Sequence, residues 1–420
     1  MLNRAHIDRR VLIGFMILML GMNAAVSLIH WKEIMAGKND FPAFYSNAQM
    51  VHEGQASRLY DFDAVSSFIH RISDVTRPPL NHLPYEVLIF VPFTYLRFSA
   101  AYVLWTLLNV GMLGGIAVLM RNSQPGESSF SLAFLTILAF YPAWQCLLQG
   151  QDSIMLALLF ALSFWLWRRG QDDIAGFVLG LGLFRPQLVL PFVLVAFLAG
   201  KWKFVRGFVP GAALAVALSA WVVGFHGMVE FARFLVSQGT ESSAGILGKQ
   251  WTIWPSVMPT LRGFLWVCLP SGTPGMIRNV LLLCGTFGGL LWAAKRMRSA
   301  RNGAAFDLAF AIALATVLLV SFHSYLHDFS LMIIPLFIAR GAVASSVHVP
   351  EKNAYLIMTL GFLFFLTPLY IVLLSTEKVG LFVLPTVALL WLMSRWATGS
   401  LPAVTAEQCT DLERLQEPNC

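Results

Sequence analysis

The apolar run VLIGFMILMLGMNAAVSLI occupies residues 11–29 and decides the fold class of this chain. A membrane helix needs about 20 predominantly apolar residues, and this run is of that length. It lacks a small-residue cleavage site, so we interpret it as a retained first span rather than a signal peptide. Arg4, Arg9 and Arg10 precede it. The positive-inside rule therefore predicts a cytoplasmic N-terminus.

The composition extends this interpretation to the whole chain. Of its 420 residues, 57% are hydrophobic and 12% are charged, which is about half the charged fraction of a soluble domain. The runs are continuous rather than alternating, so helices and not barrel strands satisfy the backbone in lipid. The formal net charge of +7 does not indicate a nucleic-acid partner, because basic residues cluster in short breaks such as residues 295–301. The sequence predicts an all-α polytopic membrane protein.

Further apolar segments predict a single membrane domain over residues 1–397 with about 10–12 transmembrane or re-entrant helices. Residues 31–83 are expected to form an extracytoplasmic loop with interfacial helices at residues 44–53 and 62–72, and residues 227–275 a second outer loop. Residues 398–420 are expected to be a flexible cytoplasmic tail. The predicted apolar segments are residues 84–120, 132–148, 154–167, 174–199, 208–224, 277–294, 308–320, 329–339, 355–374 and 381–396.

Two of these segments are expected to be broken. Residues 174–199 have basic residues at both ends and carry Arg185-Pro186 in the middle. Two half-helices that turn back at Arg185 satisfy both the charge rule and the missing proline N–H. Residues 84–120 must cross once in total, so their first part is expected to be re-entrant. With the basic breaks placed inside, Asp40, Gln151 and residues 321–328 all lie on the outer side.

Asp40, next to Asn39, admits two interpretations. As a helix N-cap it would accept bonds from free N–H groups of the helix that follows. As a general base it would take a proton from an attacking hydroxyl. The turn Gly150-Gln151-Asp152 also admits two interpretations. Asp152 can cap the next helix, and amides such as that of Gln151 can bind sugar hydroxyls.

Arg185 favours a functional interpretation. An arginine within an apolar segment costs about 2.5–3.5 kcal/mol on insertion scales, and a phosphate ligand would compensate that cost. The group His323, His327 and Asp328 could bind a metal, hydrogen-bond at the interface, or recognise phosphate or sugar through His327. The last is favoured over metal, because two histidines alone are weak evidence for a metal site. His82 lies near the same surface, and Glu86 is a charge without an evident partner.

Several short motifs occur in a fixed order between residues 39 and 339: Asp40-Phe41-x-x-Phe44-Tyr45, Gly54 with Leu59-Tyr60-Asp61, Pro78-Pro79, Leu104-Trp105, Gly150-Gln151-Asp152, Ala175-Gly176 with Gly180-Leu181, Arg185-Pro186-Gln187 and His327-Asp328. In this order the chain resembles glycosyltransferase family 87 of the GT-C superfamily. That family includes polyprenyl-phosphate-mannose-dependent α-mannosyltransferases.

The resemblance implies a GT-C type fold and an inverting transfer with Asp40 as the base. The donor would be a sugar β-linked to polyprenyl phosphate, and the acceptor a glycolipid or glycan. No metal or other cofactor is expected. The chain would lie in the bacterial inner membrane with its site facing the periplasm. Two positions depart from the family pattern: Arg185 replaces the usual lysine, and Asp152 replaces an asparagine. The residues expected to bind donor phosphate or sugar are Arg185, Gln187, His327, Gln151 and Asp152, and further candidates for the site are Asn39, Tyr45, His82, His323 and Asp328.

Two alternatives remain at this stage. A transporter or flippase of a lipid-linked saccharide would also have broken helices and a membrane arginine. It would not need Asp40 beside a long outer loop. An oligosaccharide polymerase or ligase is less compatible, because few arginines lie within the apolar segments.

Overall fold

A computed structural model of the chain describes residues 9–75, 79, 81–121, 129–239, 254–300, 303–345 and 351–398. Within these residues the secondary structure is entirely helical. The prediction of an all-α membrane protein is confirmed. The predicted tail lies outside the described residues, apart from its first position, and so does Pro78.

The N-terminal half begins with a long helix and continues mostly through shorter ones. Three short 3-10 segments, Ala56–Arg58, Pro84–Glu86 and Val91–Tyr95, connect its elements. Its α-helices are α1 (Arg9–Met35), α2 (Phe41–His52), α3 (Phe62–Ile69), α4 (Val87–Phe90), α5 (Phe98–Arg121), α6 (Phe130–Ala139), α7 (Tyr141–Gln149), α8 (Ser153–Arg168) and α9 (Asp172–Gly180).

The C-terminal half alternates long spans with broken ones, and 3-10 segments at Pro255–Val257, Asp328–Met332 and Val379–Phe382 precede helices. Its α-helices are α10 (Pro186–Leu198), α11 (Trp202–Gly239), α12 (Leu261–Cys268), α13 (Gly275–Ser299), α14 (Ala304–Val320), α15 (Ile333–Ser345), α16 (Glu351–Leu363), α17 (Thr367–Ser375) and α18 (Val383–Thr398).

Several helices are suited to cross a bilayer. Among the described residues, 5 are long and apolar enough to do so, or up to 7 if each of two bent pairs forms one span. The shorter apolar helices α8, α10 and α14 have 10–17 residues. Multiple apolar helices of this length make the chain a multi-pass membrane protein.

Two segments that the sequence predicts as continuous are in fact broken. Helices α6 and α7 meet at a bend of 67°, and α16 and α17 at 55°. Pro142 and Pro368 lie in the first turn of the second helix of each pair. Proline has no N–H to continue the preceding helix, and this explains both breaks. The apolar pattern over residues 132–148 and 355–374 continues across both breaks and does not reveal them.

The predicted break at Arg185 is confirmed. Helix α9 ends at Gly180 and α10 begins at Pro186, with Arg185 in the connection. Helix α9 lies tightly against α11, where a Cβ on Gly176 or Gly180 would overlap the α11 backbone. Small residues permit such close helix packing in membranes. This contact places the Arg185 turn in a defined position.

The segment of residues 31–83 contains the two expected helices, but α2 is buried within the protein rather than lying on its surface. Phe41 and Phe44 of α2 are buried, as is Ala48. The Phe44 ring lies 4.9 Å from the Phe90 ring, which in turn lies 4.6 Å from Trp105. Aromatic contacts on several sides therefore hold α2 inside the protein. This packing also positions Asp40, the residue directly before α2.

Candidate active site

A cavity of about 520 Å³ opens beside the N-terminus of α2. Its walls come from the α1–α2 link, residues 79, 81 and 82, α7 and the turn after it, the Arg185 turn, and the segment between α14 and α15. The lining includes Lys38, Asp40, Asn81, His82, Gln145, Gln149, Gln151, Arg185, Trp254, His323, Tyr325 and His327. Polar groups distant in the sequence thus converge on one space.

Asp40 occupies the N-cap position of α2 without acting as its cap. Its side chain makes no capping hydrogen bond to the helix. Instead, its Oδ2 accepts a hydrogen bond of 2.8 Å from Nε2 of Gln151, and its carboxylate lines the cavity. The Asp40 backbone N–H donates to the carbonyl of Gln149 at 3.1 Å. The structure therefore rejects the capping interpretation of Asp40.

Gln151 links Asp40 to the buried arginine. Its Oε1 accepts a hydrogen bond of 2.6 Å from Arg185 Nη2. A guanidinium can only donate and a carboxylate only accept, so the amide oxygen must face Arg185 and the amide nitrogen Asp40. The Asp40 carboxylate is held in one orientation by this bridge.

The turn before Gln151 requires glycine. Gly150 has a φ of +65°, and a Cβ at this position would approach the Phe41 Cβ to 2.6 Å. Its carbonyl accepts a hydrogen bond of 3.0 Å from Trp105 Nε1. Glycine adopts this left-handed backbone without a steric penalty. The end of α7 and the start of α2 can therefore touch.

Asp152 is also not a helix cap. It precedes α8, yet its side chain makes no capping bond. Its Oδ1 accepts from Arg185 Nε at 3.0 Å and also from Nη2 of the same guanidinium. Asp152 is fully buried. The capping alternative for Asp152 is rejected as well.

The charge of Arg185 is neutralised within the protein. Nη1 donates to Asp328 Oδ1 at 2.9 Å, in addition to the bonds to Asp152 and Gln151. These bonds use four of the five guanidinium N–H groups. The two carboxylates thus compensate the cost of burying Arg185. The burial of this arginine therefore no longer implies a phosphate ligand. Donor binding by Arg185 stays a prediction.

Asp328 joins the Arg185 turn to the histidine segment. Its Oδ1 accepts from Ser153 Oγ at 2.7 Å, and its Oδ2 accepts from the Tyr325 backbone N–H at 3.0 Å. His327 Nε2 lies 3.6 Å from Asp328 Oδ2. The carboxylate therefore fixes the segment that brings His323 and His327 to the cavity wall.

The two cavity histidines are held neutral by their surroundings. Burial lowers the pKa of His323 to about 4, and burial also lowers the pKa of His327, against the opposing influence of Asp328. The Nδ1 atom of His323 makes no hydrogen bond with any described residue. A neutral imidazole with an available nitrogen can bind a proton when an anion arrives.

Comparison with known families agrees with this geometry. The model of glycosyltransferase family 87 matches residues 84–321, more than half of the chain. The chain belongs to glycosyltransferase family 87. It is therefore a membrane glycosyltransferase with a sugar donor and an acceptor. Searches of curated proteins and of solved structures find no match.

The family 87 match covers only part of the cavity. Gln151, Asp152 and Arg185 lie inside the matched range, whereas Asp40 and His327 lie outside it. The role of Asp40 therefore depends on its position in the cavity rather than on the family match.

Glu86 has a partner that the sequence did not reveal. Its Oε2 lies 2.5 Å from Nδ1 of His82, and the same nitrogen lies 3.6 Å from Asp152 Oδ2. The ligand atoms of the three side chains lie within 4.8 Å of one another, as in a metal site. The cluster can also be explained without a metal ion. In that case the His82–Glu86 hydrogen bond and the Arg185–Asp152 ion pair hold the three side chains together.

Five of the residues predicted for the family 87 site do not line the cavity: Asn39, Tyr45, Asp152, Gln187 and Asp328. Asn39 donates to the Leu148 carbonyl at 3.1 Å and joins the α1–α2 link to α7. Tyr45 donates to the Leu96 carbonyl at 2.7 Å, on another side of α2. The Nε2 atom of Gln187, in the first turn of α10, is buried without a hydrogen bond in the described residues. These side chains lie off the cavity wall in this arrangement, and their contact with the donor stays a prediction.

Other cavity residues were missed at the sequence level. Gln145 and Gln149 lie one helical turn apart on α7 and both face the cavity. The spacing i, i+4 puts them on one helix face, so this signal was present in the sequence. Lys38 and Tyr325 also line the cavity. Nothing in their local sequence distinguishes them from ordinary loop residues.

Proposed function

We propose that this protein transfers a hexose, specifically mannose, from a polyprenyl-phosphate donor to a hydroxyl of a lipid-linked or polymeric glycan. The reaction takes place on the extracytoplasmic side of the bacterial inner membrane. The observation that carries the proposal is the Asp40 carboxylate, which lines the cavity and is held by Gln151 instead of capping α2. Mannose rests on the resemblance to mannose-dependent members of the family.

The proposed step is a single inverting displacement. Asp40 takes the proton of the acceptor hydroxyl as the oxygen attacks the anomeric carbon of the β-linked sugar. The bond from that carbon to the phosphate oxygen breaks, and polyprenyl phosphate leaves with the electron pair. The product linkage is α. The Gln151–Arg185 bridge keeps the Asp40 carboxylate oriented towards the acceptor hydroxyl. This orientation contributes to the rate of transfer.

The negative charge on the leaving phosphate must be stabilised as it grows. Lys38, His323 and His327 line the same cavity, together with Arg185. Cations arranged before the reaction stabilise such charge most effectively in a site shielded from water. We assign donor phosphate binding to these groups, with Arg185 acting mainly through Gln151.

Donor binding is expected to take up protons at the histidines. Burial lowers the pKa of His323 to about 4, so the ring is neutral at physiological pH. A phosphate nearby favours the charged form and raises that pKa. Binding of the donor then takes up protons, so donor affinity falls as pH rises through the raised pKa.

This dependence can be measured as donor dissociation constants from about pH 5 to pH 8. The wild type should lose affinity towards high pH, and the slope should flatten in His323→Gln and His327→Gln. His226→Gln is the matched control, because His226 lies on α11 and is exposed. An unchanged slope in both site variants would contradict histidine–phosphate contact.

Transfer is expected to proceed without a divalent cation. A phosphate monoester leaving group can be neutralised by Lys38 and protonated histidines, so no metal is needed for charge balance. Initial rates should be equal in excess EDTA and in magnesium. Loss of activity in EDTA, with recovery on adding magnesium or manganese, would contradict this and direct attention to His82, Glu86 and Asp152.

The function itself is tested with purified protein in vesicles, polyprenyl-phosphate-[14C]mannose and a membrane extract as the source of acceptor. Label should move to a new glycolipid or polymer. Label that only crosses the bilayer would favour a flippase instead.

A further inference from the structure

Two glutamine side chains of α7 line the cavity and take no part in the mechanism described so far. These are Gln145 and Gln149, whereas Cys146, Leu147 and Leu148 between them are buried. The spacing i, i+4 places the two side chains on one helix face, with about 5–6 Å between their Cβ atoms. Helix α7 therefore presents one polar face, and that face borders the cavity.

Both amides are available to a ligand. Neither side chain has a hydrogen-bond partner among the described residues. Gln151, another glutamine of the wall, is by contrast bonded at both ends, to Asp40 and to Arg185. A free amide offers a carbonyl acceptor and two N–H donors. It can accept from one hydroxyl and donate to the next, which is the arrangement that adjacent hydroxyls of a sugar ring require.

Gln149 is joined directly to the proposed base. The backbone N–H of Asp40 donates to the backbone carbonyl of Gln149 at 3.1 Å. A sugar ring that gives a proton to the Asp40 carboxylate carries further hydroxyls on the neighbouring carbons. Those hydroxyls come within reach of the polar face of α7, with Gln149 beside the base and Gln145 one helical turn away.

A different segment of the wall contributes an aromatic ring. Trp254 lies directly before the 3-10 segment Pro255–Val257, lines the cavity and is 55% exposed. Packing in the core therefore does not account for this side chain. The C–H groups of a sugar ring pack on an aromatic face, while its hydroxyls bind polar side chains. Free amides and an exposed indole in one cavity thus favour a sugar ring over a simple alcohol.

We propose that Gln145 and Gln149 bind the hydroxyls of the acceptor's sugar ring that neighbour the attacked hydroxyl. The assignment rests on the proposed function and adds a specificity to it. Only the hydroxyl held at the Asp40 carboxylate loses its proton, so the orientation of the ring decides which position receives the new sugar. The two amides therefore select the linkage of the product.

The test is the linkage of the product formed from polyprenyl-phosphate-[14C]mannose and the acceptors of a membrane extract. The wild type is expected to form one linkage, and Gln145→Leu and Gln149→Leu a mixture. Each substitution should also raise the KM for acceptor about 2- to 10-fold, as expected for one lost hydrogen bond. The matched control is Gln171→Leu, because Gln171 is exposed before α9 and should behave as the wild type. A single linkage in both site variants overturns the proposal.

Two controls exclude other roles for the glutamines. Their side chains make no hydrogen bond within the described protein, so the midpoint of thermal unfolding should stay at the wild-type value in both variants. A clear drop would mean that the amides support the fold, and would contradict the proposal. Donor dissociation constants should also stay unchanged. A weaker donor affinity would mean that the amides bind the sugar of the donor, and this too overturns the assignment to the acceptor.

Binding of methyl hexosides tests the sugar contact without turnover. The probes are the methyl α-glycosides of mannose, glucose and galactose, measured by saturation-transfer NMR with the full chain in lipid nanodiscs. At least one should bind, more weakly in Gln149→Leu and in Trp254→Ala. Binding should be unaltered in Trp221→Ala, because Trp221 lies on α11 and is 75% exposed. Failure of all three probes to bind overturns the proposal.

Failure of this assignment can be told apart from failure of the proposed function. If the hexosides bind as expected but the wild type transfers no label, the proposed donor and reaction fail. If the wild type transfers label but both glutamine variants keep its linkage, the role of Gln145 and Gln149 alone fails.

Discussion

Replacing Asp40 by asparagine is expected to abolish sugar transfer while the protein still inserts and binds its donor. Asparagine keeps the shape of the side chain but cannot accept the hydroxyl proton. A positioned general base contributes about 10²–10⁴-fold to a rate, so kcat should fall by at least that range. The measurement is label transfer from polyprenyl-phosphate-[14C]mannose, with donor binding determined in parallel.

The matched control is Asp63→Asn. Asp63 lies in the same segment between α1 and α5, in the first turn of α3, and is exposed. This variant should transfer sugar at the wild-type rate. Full turnover by Asp40→Asn would show that Asp40 is not the base. Loss of donor binding together with transfer would instead show that Asp40 shapes the donor site.

Replacing Arg185 by glutamine is expected to destabilise the protein strongly. The substitution leaves Asp152 and Asp328 buried without their common cation. Breaking a buried ion pair by removing one partner costs about 3–5 kcal/mol in free energy of unfolding. Thermal unfolding in detergent should therefore show a large drop in midpoint and a low yield of folded protein.

Arg206→Gln is the control for this effect. Arg206 also pairs with an aspartate, Asp173, but the two side chains are 73% and 45% exposed. Solvent screens such a pair, so its loss should change the midpoint little. Equal effects of the two substitutions would show that the Arg185 cluster is not a buried ionic core. The double variant Arg185→Gln/Asp152→Asn should recover part of the lost stability, because one unpaired charge is removed.

Arg185→Lys separates positioning from stability. Lysine keeps the positive charge but has three donors from one atom, so it cannot span Asp152, Asp328 and Gln151 together. The fold should survive better than in Arg185→Gln, while kcat falls because Gln151 is released and Asp40 loses its orientation. A wild-type kcat in Arg185→Lys would contradict the role of the Arg185–Gln151 bridge.

The sequence was most informative where a single physical constraint dominates. The predominantly apolar run of 19 residues, 11–29, is stable as a helix that crosses a bilayer. The break at Arg185-Pro186 followed from the missing proline N–H and from the charges at both ends of the segment. Proline-induced breaks at residues 140 and 366 were missed, although the same rule predicts them, because the apolar pattern continues across both.

The side-chain partners could not be predicted in this way. Asp40 and Asp152 both occupy N-cap positions, and capping was a sound local expectation for each. Which acceptor oxygen bonds which donor depends on groups brought close by folding. Gln151 lies 111 positions from Asp40, and Asp328 lies 143 from Arg185. A local pattern carries no information about such contacts.

The sequence by itself thus determined the membrane class and the helix break at Arg185. Only the tertiary structure decided that Arg185 is neutralised by Asp152 and Asp328 and that Gln151 hydrogen-bonds the Asp40 carboxylate. It also decided that Tyr45 and Gln187 do not line the cavity. The physical reason is that hydropathy and proline act over neighbouring residues. Buried ion pairs and amide bridges form instead between distant segments, where desolvation leaves each donor only the acceptors that packing supplies.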